Sequence, residues 1–320
     1  MKAAVVESFN APPRYTTFAD PVPLEGEKLV TVAAAGLHQI VKSLANGTHY
    51  GSTGELPFIA GVDGVGRLDD GTRVYFGVGR PPFGTMADQA LAGTHMCLPL
   101  PDGIDDATAA GSANPAMSSW VALTARAKFV AGESVLVLGA TGVSGRLAVQ
   151  IAKRLGARLV VAVGRNPLVL EQLKTLGADT IVSLNQEHAA LVTSLRDAIA
   201  SAGIGVVLDY LWGPPAQATL EAIAQKSLSK LAPRIRFVQI GSMASPSIPL
   251  SAATLRSSGL ELLGSGFGSA SLDQIRETLA EFFSAAAAAP FHTAIKTVPL
   301  REVESLWNVP EQATRLVFQP

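Results

Sequence analysis

The sequence predicts an α/β protein, in which a parallel β-sheet interleaved with helices accompanies a second domain rich in β-structure. Three observations carry that expectation. Between about Ala107 and Leu263, apolar strand-like runs alternate with helical periods, the mark of βαβ units. Before about Asp106, short β-prone runs are punctuated by Gly and Pro clusters, as in a mostly β domain with many turns. The length, 320 residues, corresponds to roughly two domains of about 100 to 200 residues each.

Taken in order, Leu29–Val32 and Arg73–Phe76 read as strands of the first domain, with turns at Pro12-Pro13, Pro21-Val22-Pro23 and Pro81-Pro82-Phe83-Gly84. The run Asn114-Pro115-Ala116-Met117-Ser118-Ser119-Trp120 reads as the beginning of the helix that leads into the second domain. Ser134–Leu138, Arg158–Val163, Thr180–Val182, Val206–Asp209 and Arg236–Ile240 supply a parallel sheet. After Gly264 the texture is mixed again, with the Ala285–Ala289 run and a final strand at Arg315–Phe318. This tail is too short to fold alone and is expected to return to the first domain. The expected division is therefore 1–110, completed by 265–320, and 111–264.

Composition narrows the function classes. Lys plus Arg number 25 and Asp plus Glu 26, for a formal net charge of −1, so nucleic acid is not an expected partner. Hydrophobic residues make up 48% and charged residues 16%. The charged share lies below the roughly 25% of an average globular chain, which excludes disorder and implies much buried structure. Cys97 is the single cysteine, which rules out an intramolecular disulfide and a cysteine cluster for structural zinc. With no base beside it in sequence, it reads as an inert core thiol. The first ten residues lack the features of a signal peptide, and no run of about 18 apolar residues occurs. A cytoplasmic protein without membrane association is expected, and the sequon Asn46-Gly47-Thr48 is then incidental. There is no Gly-x-Ser-x-Gly elbow, which disfavours hydrolysis.

The most informative motif follows the strand Ser134–Leu138 at once: Gly139-Ala140-Thr141-Gly142-Val143-Ser144-Gly145, then a helical period in which Val143, Leu147, Ile151 and Leu155 recur every four residues. Gly139 and Gly142 permit a tight turn and let a pyrophosphate approach the backbone. Gly145 lets the helix lie close on the strand, and the helix N-terminus supplies unpaired N–H donors and positive dipole. The loop is expected to bind a dinucleotide, against the alternative of a purely structural turn. The next strand ends in Gly164-Arg165-Asn166, where an NAD site usually carries an acidic residue. A guanidinium there suits the 2′-phosphate of NADPH, the alternative being a solvated loop arginine. Asp209 and Tyr210 end the fourth strand of the sheet, and Gly241 and Ser242 follow the fifth. Ligands of open α/β sheets bind at strand C-termini, so both places are expected to border the dinucleotide.

These residues, with Ala131-Gly132-Glu133-Ser134-Val135, Leu176-Gly177-Ala178-Asp179 and Val207-Leu208-Asp209-Tyr210, resemble the medium-chain dehydrogenase/reductase superfamily. The Gly-x-x-Gly-x-x-Gly spacing resembles its zinc-independent quinone oxidoreductase branch. The resemblance continues in Ala35-Gly36-Leu37, Leu56-Pro57-Phe58-Ile59-Ala60-Gly61-Val62-Asp63-Gly64 and Thr314-Arg315-Leu316-Val317, and so spans nearly the whole chain. It implies a β-rich GroES-like domain, built from both chain ends, beside a Rossmann domain.

The departures matter as much. In the zinc alcohol dehydrogenases of this superfamily a Cys ligand follows Ala-Gly-(Ile/Val); here that place is His38. The Gly-His-Glu ligand motif corresponds to Gly61-Val62-Asp63, so the zinc-binding His is Val62, and the four-Cys lobe is absent. No metal is expected. The resemblance assigns substrate contacts to the segment His38–Tyr50 and to Asn114, in a cleft between the domains. Tyr50 is implied as the hydrogen-bond donor to an acceptor carbonyl, the alternative being an amphipathic rim tyrosine. Ser118 and Ser119 face the nicotinamide or cap a helix. Leu263–Gly268, with Gly264 and Ser265, looks like the loop that contacts the nicotinamide amide, or is a flexible hinge.

The expected function is that of an NADPH-dependent, metal-free reductase of quinones or of activated C=C bonds in α,β-unsaturated carbonyl compounds. An enoyl-thioester reductase and an NADPH-binding redox sensor with little turnover are the alternatives. Leu260–Leu263 resembles the edge strand through which relatives pair, and a two-fold homodimer is expected.

Overall fold

The computed structural model describes residues 1–77, 79–224, 232–310 and 314–320. Two compact units form, one from 1–115 with 279–320 and the other from 116–278. Both divisions fall inside helices, whereas composition alone sets them at 110/111 and 264/265. A helix carries its texture across a division, so texture does not mark the point.

In the first unit, strands β1 (Lys2–Val6), β2 (Arg14–Thr17) and β3 (Glu27–Gly36) precede helix α1 (Gln39–Ala45). Strands β4 (Phe58–Ile59), β5 (Asp63–Arg67), β6 (Arg73–Gly77), β7 (Gln89–Gly93) and β8 (Cys97–Pro99) follow, then helix α2 (Asp106–Val121). α2 begins eight residues before the expected start at Asn114, because Asp105 caps it: its carboxylate accepts from the Thr108 N–H at 2.8 Å and from the Thr108 hydroxyl at 2.7 Å. Pro115 lies inside this helix rather than at its beginning.

The second unit alternates strand and helix: β9 (Ser134–Leu138), α3 (Val143–Arg154), β10 (Val160–Gly164), α4 (Pro167–Thr175), β11 (Thr180–Ser183), α5 (His188–Ala202), β12 (Ile204–Asp209), α6 (Gly213–Ile223), β13 (Arg234–Gln239), α7 (Ala252–Arg256) and β14 (Gly259–Gly264). Its strands are parallel, in the order β11-β10-β9-β12-β13-β14. Counted within the unit this is 3-2-1-4-5-6, the doubly wound Rossmann order. β9 and β10 are buried along their whole length, as strands covered on both faces must be. Leu136, Leu138, Val161, Val163, Val207 and Phe237 form a core with Leu191, Leu195 and Leu220 from the helices. Each such side chain contributes about 1.5 to 3 kcal/mol by leaving water.

Helix α8 (Leu272–Ala288) leads back, and β15 (Ala294–Pro299), α9 (Val303–Leu306) and β16 (Thr314–Gln319) complete the first unit. β16 pairs with β3, setting Val317 against Gly36 and Phe318 against Ala35. A mixed sheet results, in the order β15-β16-β3-β5-β6-β8 with β7 also on β3, beside a smaller β2-β1-β4 sheet. The strands run longer than their apolar runs suggest. β3, for instance, extends from Leu29–Val32 to Glu27–Gly36, since Ala34 and Ala35 are buried and too small to stand out as strand signals.

Candidate functional site

The glycine loop joins β9 to α3. Gly139 has φ +92°, a conformation that favours glycine, and a β-carbon on it would stand 3.1 Å from the Leu211 side chain. A β-carbon on Gly145 would overlap the Gly139 carbonyl and come within 2.6 Å of the Ala140 Cα, so packing alone demands that glycine. Gly142 is different. It is exposed, has φ −77°, and a β-carbon there would meet only the Gly139 carbonyl, at 3.6 Å. The protein itself tolerates a side chain at Gly142; what glycine provides is open backbone at the N-cap of α3, beside the first-turn N–H groups of Val143, Ser144 and Gly145. Those N–H groups have no intrahelical acceptor, and the geometry fits a pyrophosphate.

β10 ends against this loop. A β-carbon on Gly164 would clash with the Thr141 side chain, whose Oγ1 lies 3.0 Å away from that position. Arg165 then turns outward and is exposed, while its carbonyl accepts from the Asn185 side-chain amide at 2.8 Å. The side chain of Asn166 is committed to α4: its Oδ1 accepts from the N–H groups of Leu168 and Val169 at 3.1 and 3.2 Å, with Pro167 at the first helical position.

At the end of β12, Asp209 is fully buried. Its Oδ1 accepts from the N–H groups of Leu211 at 2.8 Å and Trp212 at 3.0 Å, and burial pushes its carboxyl up to about 6. The Tyr210 hydroxyl lies 3.3 Å from the Ser118 Oγ, with Ser119 as a second partner, and burial pushes the phenol up to about 12. Ser118 and Ser119 therefore sit within α2 and serve Tyr210 rather than cap a helix. A β-carbon on Gly241 would stand 2.9 Å from the Tyr210 carbonyl, and Ser242 beyond it is exposed. Gly264 ends β14 in open surroundings; its carbonyl accepts from the Arg126 Nε at 2.8 Å, and the Ser265 N–H donates to the Gln239 carbonyl at 2.8 Å.

Strand register brings these residues together. Leu138 pairs with Val163 on one side and Asp209 on the other, Asp209 with Gln239, and Gln239 with Gly264. The expected cofactor residues thus lie along one edge of the sheet, at strand C-termini around the point where strand order reverses.

The expected substrate residues lie in the first unit and differ among themselves. His38 precedes α1 and is buried. Its Nε2 lies 3.3 Å from Asp63 Oδ1, close enough for an ion pair but not aligned for a hydrogen bond. Asp63 Oδ2 accepts from the Tyr75 hydroxyl at 2.7 Å, and burial, then the Asp63 charge, raise that phenol well above its ordinary value. Tyr50 is 77% exposed and stacks on His49, ring centroids 4.1 Å apart. The Gly51 N–H donates to His49 Nδ1 at 3.0 Å, and partial burial lowers the pKa of that imidazole, so the neutral ring carries its proton on Nε2. Asn114 is half-buried in mid-helix.

Sequence reasoning missed the Asp63–Tyr75 and Ser118–Tyr210 pairs. Asp63 stood in view as the acidic end of Gly61-Val62-Asp63. Tyr75 carries no local signal, and Ser118 stood in view only as a nicotinamide contact or a cap, since the partners of both are brought by folding. Among the described residues no cluster of three or more His, Cys, Asp or Glu side chains forms that could hold a metal ion, and no helix is long and apolar enough to cross a membrane.

Residues 144–285 match the family model described as zinc-binding dehydrogenase. A probable NADPH-dependent quinone reductase of Emericella nidulans is 29% identical, the alignment covering 100% of both chains. A quinone oxidoreductase of Pongo abelii is 28% identical over 66% of this chain and 66% of its own length. Among solved structures, the quinone oxidoreductase of Thermus thermophilus, determined alone and with NADPH, superposes with TM-score 0.82 at 25% identity, covering 100% of both chains. The glycine loop between β9 and α3, the strand order and these likenesses agree: it is the medium-chain dehydrogenase/reductase superfamily that the chain resembles.

Proposed function

We propose that the protein is an NADPH-dependent oxidoreductase that transfers a hydride to quinones or to activated C=C bonds of α,β-unsaturated carbonyl compounds. The observation that carries this reading is Gly142: a glycine the fold does not require, at the open N-terminus of α3, in a row of strand ends that a dinucleotide fits. The quinone reductases among its relatives support the acceptor class.

NADPH supplies the hydride when bound. The loop Gly139–Gly145 would hold the pyrophosphate and Arg165 the 2′-phosphate, with the backbone at Gly241, Ser242, Gly264 and Ser265 bordering the remainder. Tyr50 would offer its exposed phenol as a hydrogen-bond donor to an acceptor oxygen, and one donor suffices for an acceptor that is itself electrophilic. Asn114, half-buried in α2, would add an acceptor contact; His38, expected beside it, is buried against Asp63 and does not reach an acceptor.

A zinc ion does not fit the donor set. Among the described residues no third metal donor joins His38 and Asp63, and the neighbouring place in the motif is the apolar Val62. The reaction is proposed to run without metal, in the cytoplasm. The half-buried leucines of β14, the edge strand of its sheet, support a two-fold homodimer joined there.

The test is NADPH oxidation with simple quinones and 2-enals, before and after exhaustive chelation. Turnover with NADPH that survives chelation is expected. Activity confined to unactivated ketones, or lost with the metal, would defeat the proposal.

A further inference from the structure

Between β12 and α6 the chain takes a conformation that only glycine adopts without strain. Trp212 has φ +53° and ψ −158°. Such a residue persists where its surroundings over-determine it, and it is a pointer to function rather than an accident of the fold. Here the constraint is Asp209, whose buried carboxylate accepts from the N–H groups of both Leu211 and Trp212. Its own backbone carbonyl accepts from Ile240 at 2.7 Å and Gly241 at 3.1 Å, so the backbone from which the carboxylate reaches is tied to the residues that follow β13.

The turn is wedged between two glycines of the strand-end row. On one side Leu211 stands against Gly139, 3.1 Å from where a β-carbon would be. On the other, the Tyr210 carbonyl stands 2.9 Å from the same point on Gly241. Moving Leu211 therefore moves the wall against which the glycine loop turns. Asp209 reaches that loop only through the backbone it holds.

We propose that Asp209 is a positioning residue for the cofactor loop, fixing Leu211 against Gly139 through the strained Tyr210–Trp212 turn and touching no part of the cofactor itself. The inference rests on the NADPH reading above and assigns its affinity to a residue outside the phosphate contacts. A pyrophosphate cradle depends on backbone position, and small displacements of positioning groups are costly out of proportion to their size.

The test compares Asp209→Ala, Asp209→Asn and Leu211→Ala with the wild type, by fluorescence titration of NADPH and by steady-state kinetics with a fixed quinone. Asp209→Ala is expected to raise Kd and KM for NADPH by about tenfold or more, while kcat at saturating NADPH changes by less than about threefold. Asn retains the accepting Oδ1 and is expected to restore most of the affinity. A role confined to stability gives the opposite split, a smaller active fraction with KM unchanged. Should Asp209→Ala fail to fold, Leu211→Ala carries the same expectation, since it removes the side chain that meets Gly139. Wild-type affinity in folded Asp209→Ala or in Leu211→Ala overturns the inference and leaves the NADPH reading standing. A wild type without affinity for NADPH overturns both.

Discussion

His38 Nε2 stands 3.3 Å from Asp63 Oδ1 in the interior of the first unit, and Tyr75 donates to the other oxygen of the same carboxylate. Both ring nitrogens of His38 lack a hydrogen bond among the described residues, so Asp63 is the charge on which this cluster depends. Asp63→Ala should destabilise the protein by about 3 kcal/mol, since it leaves the buried Tyr75 hydroxyl without its acceptor and opens a cavity beside His38. Tyr75→Phe, which removes one hydroxyl from an acceptor that keeps its other neighbour, should cost about 1 to 2 kcal/mol. Urea denaturation of the two variants checks the order; equal losses would show that Asp63 does not organise the cluster.

The three loop glycines should separate in mutation. Gly142→Ala introduces a methyl that the protein accommodates and the pyrophosphate does not, so its stability should stay within about 0.5 kcal/mol of wild type while NADPH affinity falls by about tenfold or more. Gly145→Ala drives a methyl into the Gly139 carbonyl and should lose stability as well. Thermal melts with and without NADPH distinguish the two. Undiminished NADPH binding by Gly142→Ala would remove the main support for the proposed site.

Arg165 is exposed at the end of β10, where a carboxylate would repel a phosphate. Arg165→Ala should weaken NADPH by roughly 10- to 100-fold, the range of one charge-assisted contact, and leave NADH nearly unchanged. Titrations with both cofactors decide this. A loss shared equally by NADPH and NADH would assign the 2′-phosphate to another residue.

Asp209 sets a pH dependence of unusual sign. Its carboxyl is raised to about 6 in the folded protein, against about 3.9 in an unfolded chain. Between those values the native state holds the proton that the unfolded state has released. Its contribution to stability is therefore full below about pH 4 and lost as pH rises through 6, by up to about 3 kcal/mol in total. Asp209→Asn, which cannot ionise, should gain on the wild type by that order between pH 4 and 7. A stability difference that stays constant over this range would place the carboxyl near its ordinary value.

Tyr50 is exposed, and water can replace its hydroxyl. Tyr50→Phe should lower kcat by about tenfold at most and leave NADPH affinity intact. Full activity with every quinone and enal tested would exclude the phenol from the reaction.

The parallel sheet was legible because β9, β10 and β12 are buried on both faces and so appear as unbroken apolar runs. The glycine loop was legible because its constraints are local: a turn, a close approach and a helix start within seven residues. The beginning of α2 was hidden by Asn114-Pro115, which has the chemistry of a helix start but stands in mid-helix, while the working cap, Asp105 with Thr108, lies upstream. Asn166 was legible as a strand-end residue, but its amide caps α4. The meeting of Asp63 with Tyr75 and His38 was beyond reach, since they lie on β5, on β6 and before α1 and come together only when β5 and β6 pair and α1 is packed.

The pairing of β16 with β3 sets an order of events at the ribosome. Residues 116–278 are contiguous and leave the exit tunnel as a complete folding unit, with every strand of their sheet present. The first 115 residues emerge earlier but wait longer, because β16, which pairs with β3, is translated after the whole of the other unit. Until Thr314–Gln319 arrives, the Ala35–Gly36 end of β3, beyond its pairing with β5 and β7, lacks its backbone partner. A ribosome that stalls between residues 278 and 314 therefore leaves the unit 116–278 complete while the sheet of the other unit still lacks β16, a ready substrate for chaperones and proteases.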